Sequence, residues 1–143
     1  AFINKLNSLT GKRFRMPTEA EWEFAARGGN NSEGTRWSGN TSCGSVGWFS
    51  GNSGAKTHPV AEKSPNELNI YDMSGNVWEW CSDWYANYSS ASQTNPTGAA
   101  SGSNHVIRGG SYSDAVNDCR VSMRNFIAPS KSMPILGMRL VME

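Results

Sequence analysis

Cysteine, histidine and net charge are all scarce in this chain, and each scarcity removes a class of function. The three cysteines, Cys43, Cys81 and Cys119, lie far apart and none belongs to a C-x-x-C pair. That argues against a disulfide framework and against a zinc site. The two histidines, His58 and His105, form neither H-x-x-x-H nor H-E-x-x-H, so the helical zinc-protease pattern is absent. Net charge is +1, with no basic run and no alternation of basic with aromatic residues, so no nucleic-acid partner is expected. No apolar run approaches the ~20 residues of a membrane-crossing helix, and no membrane insertion is expected. A phosphate-cradling G-x-x-x-x-G-K and a G-x-S-x-G elbow are also missing, which leaves no nucleotide or serine-hydrolase signature.

What remains is 143 residues rich in glycine and tryptophan, the size of one domain. Phe2, Ile3, Leu6 and Leu9 have helical spacing that starts without a cap and stops at Gly11, and with no leader pattern before it this suggests a fragment of something longer. A second helix is predicted from Thr18, which forms a capping box with Glu21, to the Gly28-Gly29 pair. Glu19, Glu21 and Glu23 load its first turns, where the helix dipole favours negative charge. Residues 30 to 76 are dense in Gly, Asn, Ser and Pro, and residues 89 to 104 form a second polar stretch. The six tryptophans, each able to bury roughly 150–250 Å², supply a core that the aliphatics do not. Strands are expected at His105–Arg108, Arg120–Arg124 and Met138–Met142, which makes an α+β domain with much ordered loop.

The densest chemistry lies between Asp72 and Trp80. Trp78 and Trp80 fall on one face of an extended segment with Glu79 on the other. Ser74-Gly75-Asn76 reads as a left-handed kink that frees backbone carbonyls. Two readings fit these residues: a turn with core tryptophans and solvated acids, or carbonyls and carboxylates around a hard cation such as calcium.

Four segments in register resemble the formylglycine-generating enzyme (sulfatase-modifying factor) family, which has a C-type-lectin-like fold. They are Arg15-Met16-Pro17-Thr18-Glu19-Ala20-Glu21-Trp22-Glu23, the Asp72–Trp80 stretch, Arg108-Gly109-Gly110-Ser111-Tyr112, and Gly137-Met138-Arg139-Leu140. The resemblance covers residues 1–143 and implies the C-terminal portion of a single such domain. It also implies a structural calcium ion held by Asp72, the Gly75 and Val77 carbonyls, and Glu79. The oxidase branch binds copper through two cysteines five residues apart, whose counterparts by position here are Asp114 and Cys119. Copper(I) selects thiolates, so the resemblance implies no copper and no oxidase activity.

The mixed side chains after Gly110 resemble the variable proteins of diversity-generating retroelements, in which adenine-directed mutagenesis converts asparagine codons into many residue types, and they equally fit ordinary loop drift in a non-catalytic family member. The implied binding residues are Tyr112, Ser113, Asp114, Ala115, Val116 and Asn117, with Phe126, Ile127, Ser130, Ser132 and Ile135. Both segments are expected to flank a strand centred on Val121 and reach one face. The mixed aromatic, aliphatic and small-polar surface suits a protein ligand, with carbohydrate as the alternative, and implies a cell-surface, secreted or phage-particle setting.

Overall fold

Gly11 ends the first helix where its position predicts. In the computed structural model, which describes residues 1–143, helix α1 spans Phe2–Thr10 and Gly11 takes a left-handed φ of 67°. Helix α2 (Glu19–Ala26) starts from a complete capping box. Thr18 Oγ1 accepts from the Glu21 N–H at 3.1 Å, and the Glu21 carboxylate accepts from the Thr18 N–H at 2.8 Å. Arg15, hydrogen-bonded to both Glu21 oxygens, holds that carboxyl down at about 2. A four-residue helix, α3 (Cys43–Val46), lies inside the loop-rich region.

The strands are short: β1 (Phe14–Arg15), β2 (Gly47–Trp48), β3 (Ser74–Gly75), β4 (Trp78–Trp84), β5 (His105–Arg108), β6 (Arg124–Ile127), β7 (Leu136–Gly137) and β8 (Val141–Met142). Four of them form a sheet in the order β6-β5-β4-β7, antiparallel except for the parallel β4–β7 pair. β1 pairs with β8 and β2 pairs with β3 as separate two-stranded ladders. Helix α2 lies on the sheet and buries Trp22 and Ala26 against Met73, Cys81, Val106 and Val121. Removing these side chains from water is the main compensation for ordering so much loop.

The acidic face of α2 has a second reason to exist beyond its dipole. Arg108, fully buried on β5, lies between Glu19, 3.3 Å from its Nε, and Glu23. Arg124 on β6 pairs with Glu19 at 2.6 Å, and Arg27 pairs with Glu23 at 2.7 Å. Helix and sheet are therefore joined by an ion network as well as by apolar packing.

Two strand expectations are corrected. Of Arg120–Arg124 only Arg124 is in a strand, because Val116–Cys119 forms a 3₁₀ turn and the Val121 N–H donates to the Arg36 carbonyl rather than to a sheet partner. Val121 is buried between half-buried Arg120 and exposed Ser122 because a turn inserts it into the core. Met138–Met142 narrows to β8, since Arg139 leaves the strand path to reach Glu79 and the Tyr71 carbonyl. On β4 both Trp78 and Glu79 are buried and Trp80 is half-buried, so this strand is covered on both faces.

Candidate ligand-binding face

The chain after β5 reverses through Gly109 and Gly110, at φ 98° and 75°. A Cβ on Gly110 would lie 2.8 Å from both the Cys119 sulfur and the Asp118 carbonyl oxygen, so only glycine lets the following loop fold back this closely. Ser111 is buried, and its hydroxyl donates to the Asp114 carboxylate. The same carboxylate accepts from Trp78 Nε1 at 2.8 Å.

The rest of the loop is held from remote parts of the chain. The Tyr112 N–H donates to the Asn76 carbonyl at 2.8 Å, and Ser53 Oγ donates to the Tyr112 carbonyl at 2.7 Å. Ser53 is thus a buried anchor. The Ser50 N–H reaches the Asp114 carbonyl at 3.0 Å, and Trp37 Nε1 reaches the Val116 carbonyl at 3.1 Å. Arg36 donates to Asn117 Oδ1 at 3.0 Å. Tyr112, Asp114 and Val116 are half-buried, while Ser113, Ala115 and Asn117 alternate with them as exposed positions.

A second segment meets this loop at Trp78. The Trp78 N–H donates to the Ile135 carbonyl at 2.8 Å, just before β7. Upstream, Ser130, Lys131, Ser132 and Met133 are exposed between a turn closed by the Lys131 N–H donating to the Ala128 carbonyl and one closed by the Leu136 N–H donating to the Met133 carbonyl, both at 3.0 Å. The expected face therefore divides. Phe126 and Ile127 lie on β6, at the opposite edge of the sheet from Ile135 and β7, about 14 Å away at ordinary strand spacing. Phe126 is 47% exposed and tilts onto Tyr85 with centroids 4.4 Å apart. No strand centred on Val121 links the two segments. Asp114, expected among the binding residues, is half-buried with its carboxylate committed to Trp78 and Ser111.

Substitutions in this loop should therefore separate by parity. Asp114→Ala should cost about 1–3 kcal/mol, because it strands a buried indole N–H and a buried hydroxyl. Ser113→Ala should stay within about 0.5 kcal/mol of the parent, as exposed positions do. Urea unfolding of both variants checks this, and equal losses would mean that the alternation has no energetic meaning.

Cys119 is fully buried, and its Sγ lies 3.9 Å from the Ser111 and Ala115 carbonyl oxygens. The neighbouring Cys43 thiol and burial together push it well above the usual thiol range. Both effects disfavour its thiolate form.

The Asp72–Glu79 stretch has the expected left-handed kink at Gly75 and Asn76, with φ of 78° and 65°, and a further one at Asp72, with φ of 60°. Asp72 Oδ2 accepts from the Ala61 N–H at 2.8 Å, whereas Oδ1 is buried without a partner. Glu79 differs: Arg139 donates to its two oxygens at 2.8 and 3.0 Å, and Trp22 Nε1 donates to one of them at 2.7 Å. No cluster of three or more His, Cys, Asp or Glu side chains suits a metal. A cation here would draw on backbone carbonyls such as those of Gly75 and Val77, with Asp72 supplying the uncommitted carboxylate oxygen.

The curled sheet with one helix packed across it, and the glycine-led loop that follows β5, define a C-type-lectin-like α+β domain. The chain belongs to the family described as Sulfatase-modifying factor enzyme 1-like domain, which it matches over residues 1–143. Among relatives, it is 37% identical over 142 residues to the formylglycine-generating enzyme of Streptomyces coelicolor, covering 87% of this chain and 45% of that protein. Among solved structures, it is similar to Treponema denticola variable protein 1, with a TM-score of 0.83 and 43% identity over 90% of this chain and 47% of that one. It is also similar to PvdO from Pseudomonas aeruginosa, with a TM-score of 0.84 and 31% identity over 99% of this chain and 57% of that one. The chain spans about half the length of these proteins.

Sequence reasoning missed the anchoring roles of Trp37, Ser53 and Ser111, and the buried position of Arg108. Only Arg108 left a signal, as a charge ending the apolar run Val106-Ile107.

Proposed function

We propose that this domain is a non-catalytic binding scaffold that recognises a protein through the face around Trp78. The carrying observation is the alternation in Tyr112–Asn117, where half-buried residues fix the loop and Ser113, Ala115 and Asn117 point outward. Such a loop accepts new side chains at Ser113 and Ala115 without losing its fixings, and a change at Asn117 gives up only the exposed contact with Arg36. Ser130 and Ser132 extend the displayed set from the adjoining segment. The likeness to a protein named as variable supports this reading, and cell-surface, secreted or phage-borne display suits it. Diversification by a retroelement belongs to the same proposal, and its mark would be a near-duplicate of the encoding DNA that differs only at adenines.

The wild-type domain and an Ala115→Glu/Asn117→Trp variant, screened against a protein panel and a glycan array, test the partner class. A protein bound by the wild type and lost by a folded variant supports the reading. A glycan hit lost in the same way would replace protein with carbohydrate. The relatives named as formylglycine-generating enzymes supply the competing function. Against it stand Asp114, a carboxylate engaged with Trp78, and Cys119, a buried thiol whose thiolate form is disfavoured. A cysteine-containing sulfatase peptide incubated with the domain and copper should yield no formylglycine, and turnover would overturn the non-enzymatic assignment.

Calcium fits as a structural ion dependent on Asp72, whose buried Oδ1 lacks a donor. When bound, it would tie a turn that lacks regular ladder bonds, with the Gly75 and Val77 carbonyls as further ligands and Glu79 contributing least. Chelation should lower the melting temperature of the wild type but not of Asp72→Ala. An unchanged wild-type melting temperature would remove calcium from the account.

A further inference from the structure

A cleft of about 580 Å³ lies between α2 and the chain that follows β4, within the size range of small-molecule sites. Glu19, Glu23 and Arg27 recur every four residues along one face of α2 and form one wall. The opposite wall comes from residues 86–99 and is held in place at three points. Trp84 and Ala99 form a β-bridge, Arg124 Nη1 donates to the Ala86 carbonyl at 2.8 Å, and the Tyr88 hydroxyl donates to Glu19 at 3.1 Å. Buried Asp83 on β4 closes the floor. Trp84, beside the cleft, is six residues along β4 from Trp78, roughly 20 Å at ordinary strand rise.

The charges here are closed among themselves. Arg124 pairs with Glu19 and Arg27 with Glu23, while Arg108 beneath reaches both acids. With Asp83 included, three carboxylates meet three guanidinium groups, so the cleft has no net charge. Asp83 is 4% exposed; its Oδ2 accepts from the Glu19 N–H at 2.8 Å and from Ser82 Oγ at 3.3 Å, but its Oδ1 accepts nothing. Asn87, Gln93 and Ser122 line the same cleft, are exposed, and have no side-chain hydrogen bond within the chain. The free groups are therefore a carboxylate oxygen, two carboxamides and a hydroxyl, a mixture of acceptors and donors. Tyr88 adds an aromatic surface: Arg124 covers one face of its ring at 4.0 Å, and the residue is 67% exposed.

A cation drawn to Asp83 would meet the two arginines that line the cleft, and an anion would meet its three acids. A neutral polyhydroxylated ring meets neither. Each of its hydroxyls both donates and accepts, and its C–H face is apolar enough to pack on an aromatic. We propose that this cleft binds a neutral mono- or disaccharide. Asp83 Oδ1 accepts from a sugar hydroxyl, the Asn87 and Gln93 amides engage others, and Tyr88 packs on the ring. The site is separate from the face around Trp78 and does not depend on what that face binds.

The test uses the whole chain and saturation-transfer NMR with the methyl glycosides of glucose, galactose, mannose and N-acetylglucosamine, and with lactose and cellobiose. At least one should bind in the millimolar range. Tyr88→Ala and Asp83→Asn should each weaken that binding about tenfold or more. Asn87→Ala/Gln93→Ala should weaken it too while leaving the urea midpoint unchanged, because neither side chain has a partner in the chain. Ala115→Glu/Asn117→Trp should bind as the wild type does. The amino-sugar and uronate counterparts of the bound sugar should bind no better than the neutral parent. Failure of every probe at tens of millimolar would overturn the proposal, as would full binding by the folded Asn87/Gln93 double variant. Loss of binding in Ala115→Glu/Asn117→Trp would place sugar recognition on the other face, and tighter binding of a charged counterpart would refute the neutral class.

Discussion

Replacing Arg108 with methionine should cost about 3–5 kcal/mol of folding stability, the range for breaking a buried ion network from one side. Arg108 is fully buried and serves Glu19, Glu23 and the Met123 carbonyl at once. Methionine keeps much of the stem volume but removes the charge and its donors. Glu19 retains Arg124 and Glu23 retains Arg27, so the loss should fall toward the lower end. Arg108→Lys should recover only part, because one ammonium cannot fork between two carboxylates. A double variant with Glu23→Leu should recover more, since it removes an acid left with only its half-exposed Arg27 partner. Urea unfolding of the set measures all three. A loss below about 1 kcal/mol for Arg108→Met would mean that desolvation already cancels the attraction.

Trp22→Ala should cost a similar amount, about 3–5 kcal/mol, through the cavity it leaves. Trp22 is 1% exposed and contacts the core from α2, while its indole N–H donates to buried Glu79 at 2.7 Å. Trp22→Phe separates the two contributions. The ring is largely kept and the donor lost, for an expected cost of about 1–3 kcal/mol. Glu79 keeps Arg139 in either variant. If Phe costs as much as Ala, the hydrogen bond outweighs the packing, and the core is less dependent on tryptophan than its composition implies.

The parts legible in the sequence were those set by local chemistry. Gly11 and Thr18 marked helix ends because caps are decided within a few residues. His105–Arg108 was read as a strand and is one. Arg120–Arg124 was misread because alternation records only which side chains go inward, and a turn that inserts Val121 gives the same pattern as a strand. The geometry of the candidate face was half legible. Ser113, Ala115 and Asn117 are exposed, whereas the Asp114 carboxylate is committed to Trp78 and Phe126 lies on a distant edge. Those two depend on which strands neighbour one another, and no local pattern encodes that order. For Glu79, the acid was evident from spacing, but its Arg139 partner lies 60 residues away.

The fixings of the Ser111–Asn117 loop come from Arg36, Trp37, Ser50, Ser53, Asn76 and Trp78. Contacts of such long sequence separation must wait until the intervening chain has been ordered, at a loop-closure cost that slows their formation. The loop should therefore consolidate after the folding barrier has been crossed. Changes at its outward positions would then leave the folding rate nearly untouched, and any destabilisation would show mainly as faster unfolding. A surface arranged in this way can be altered residue by residue while every version still reaches the native state at much the same speed.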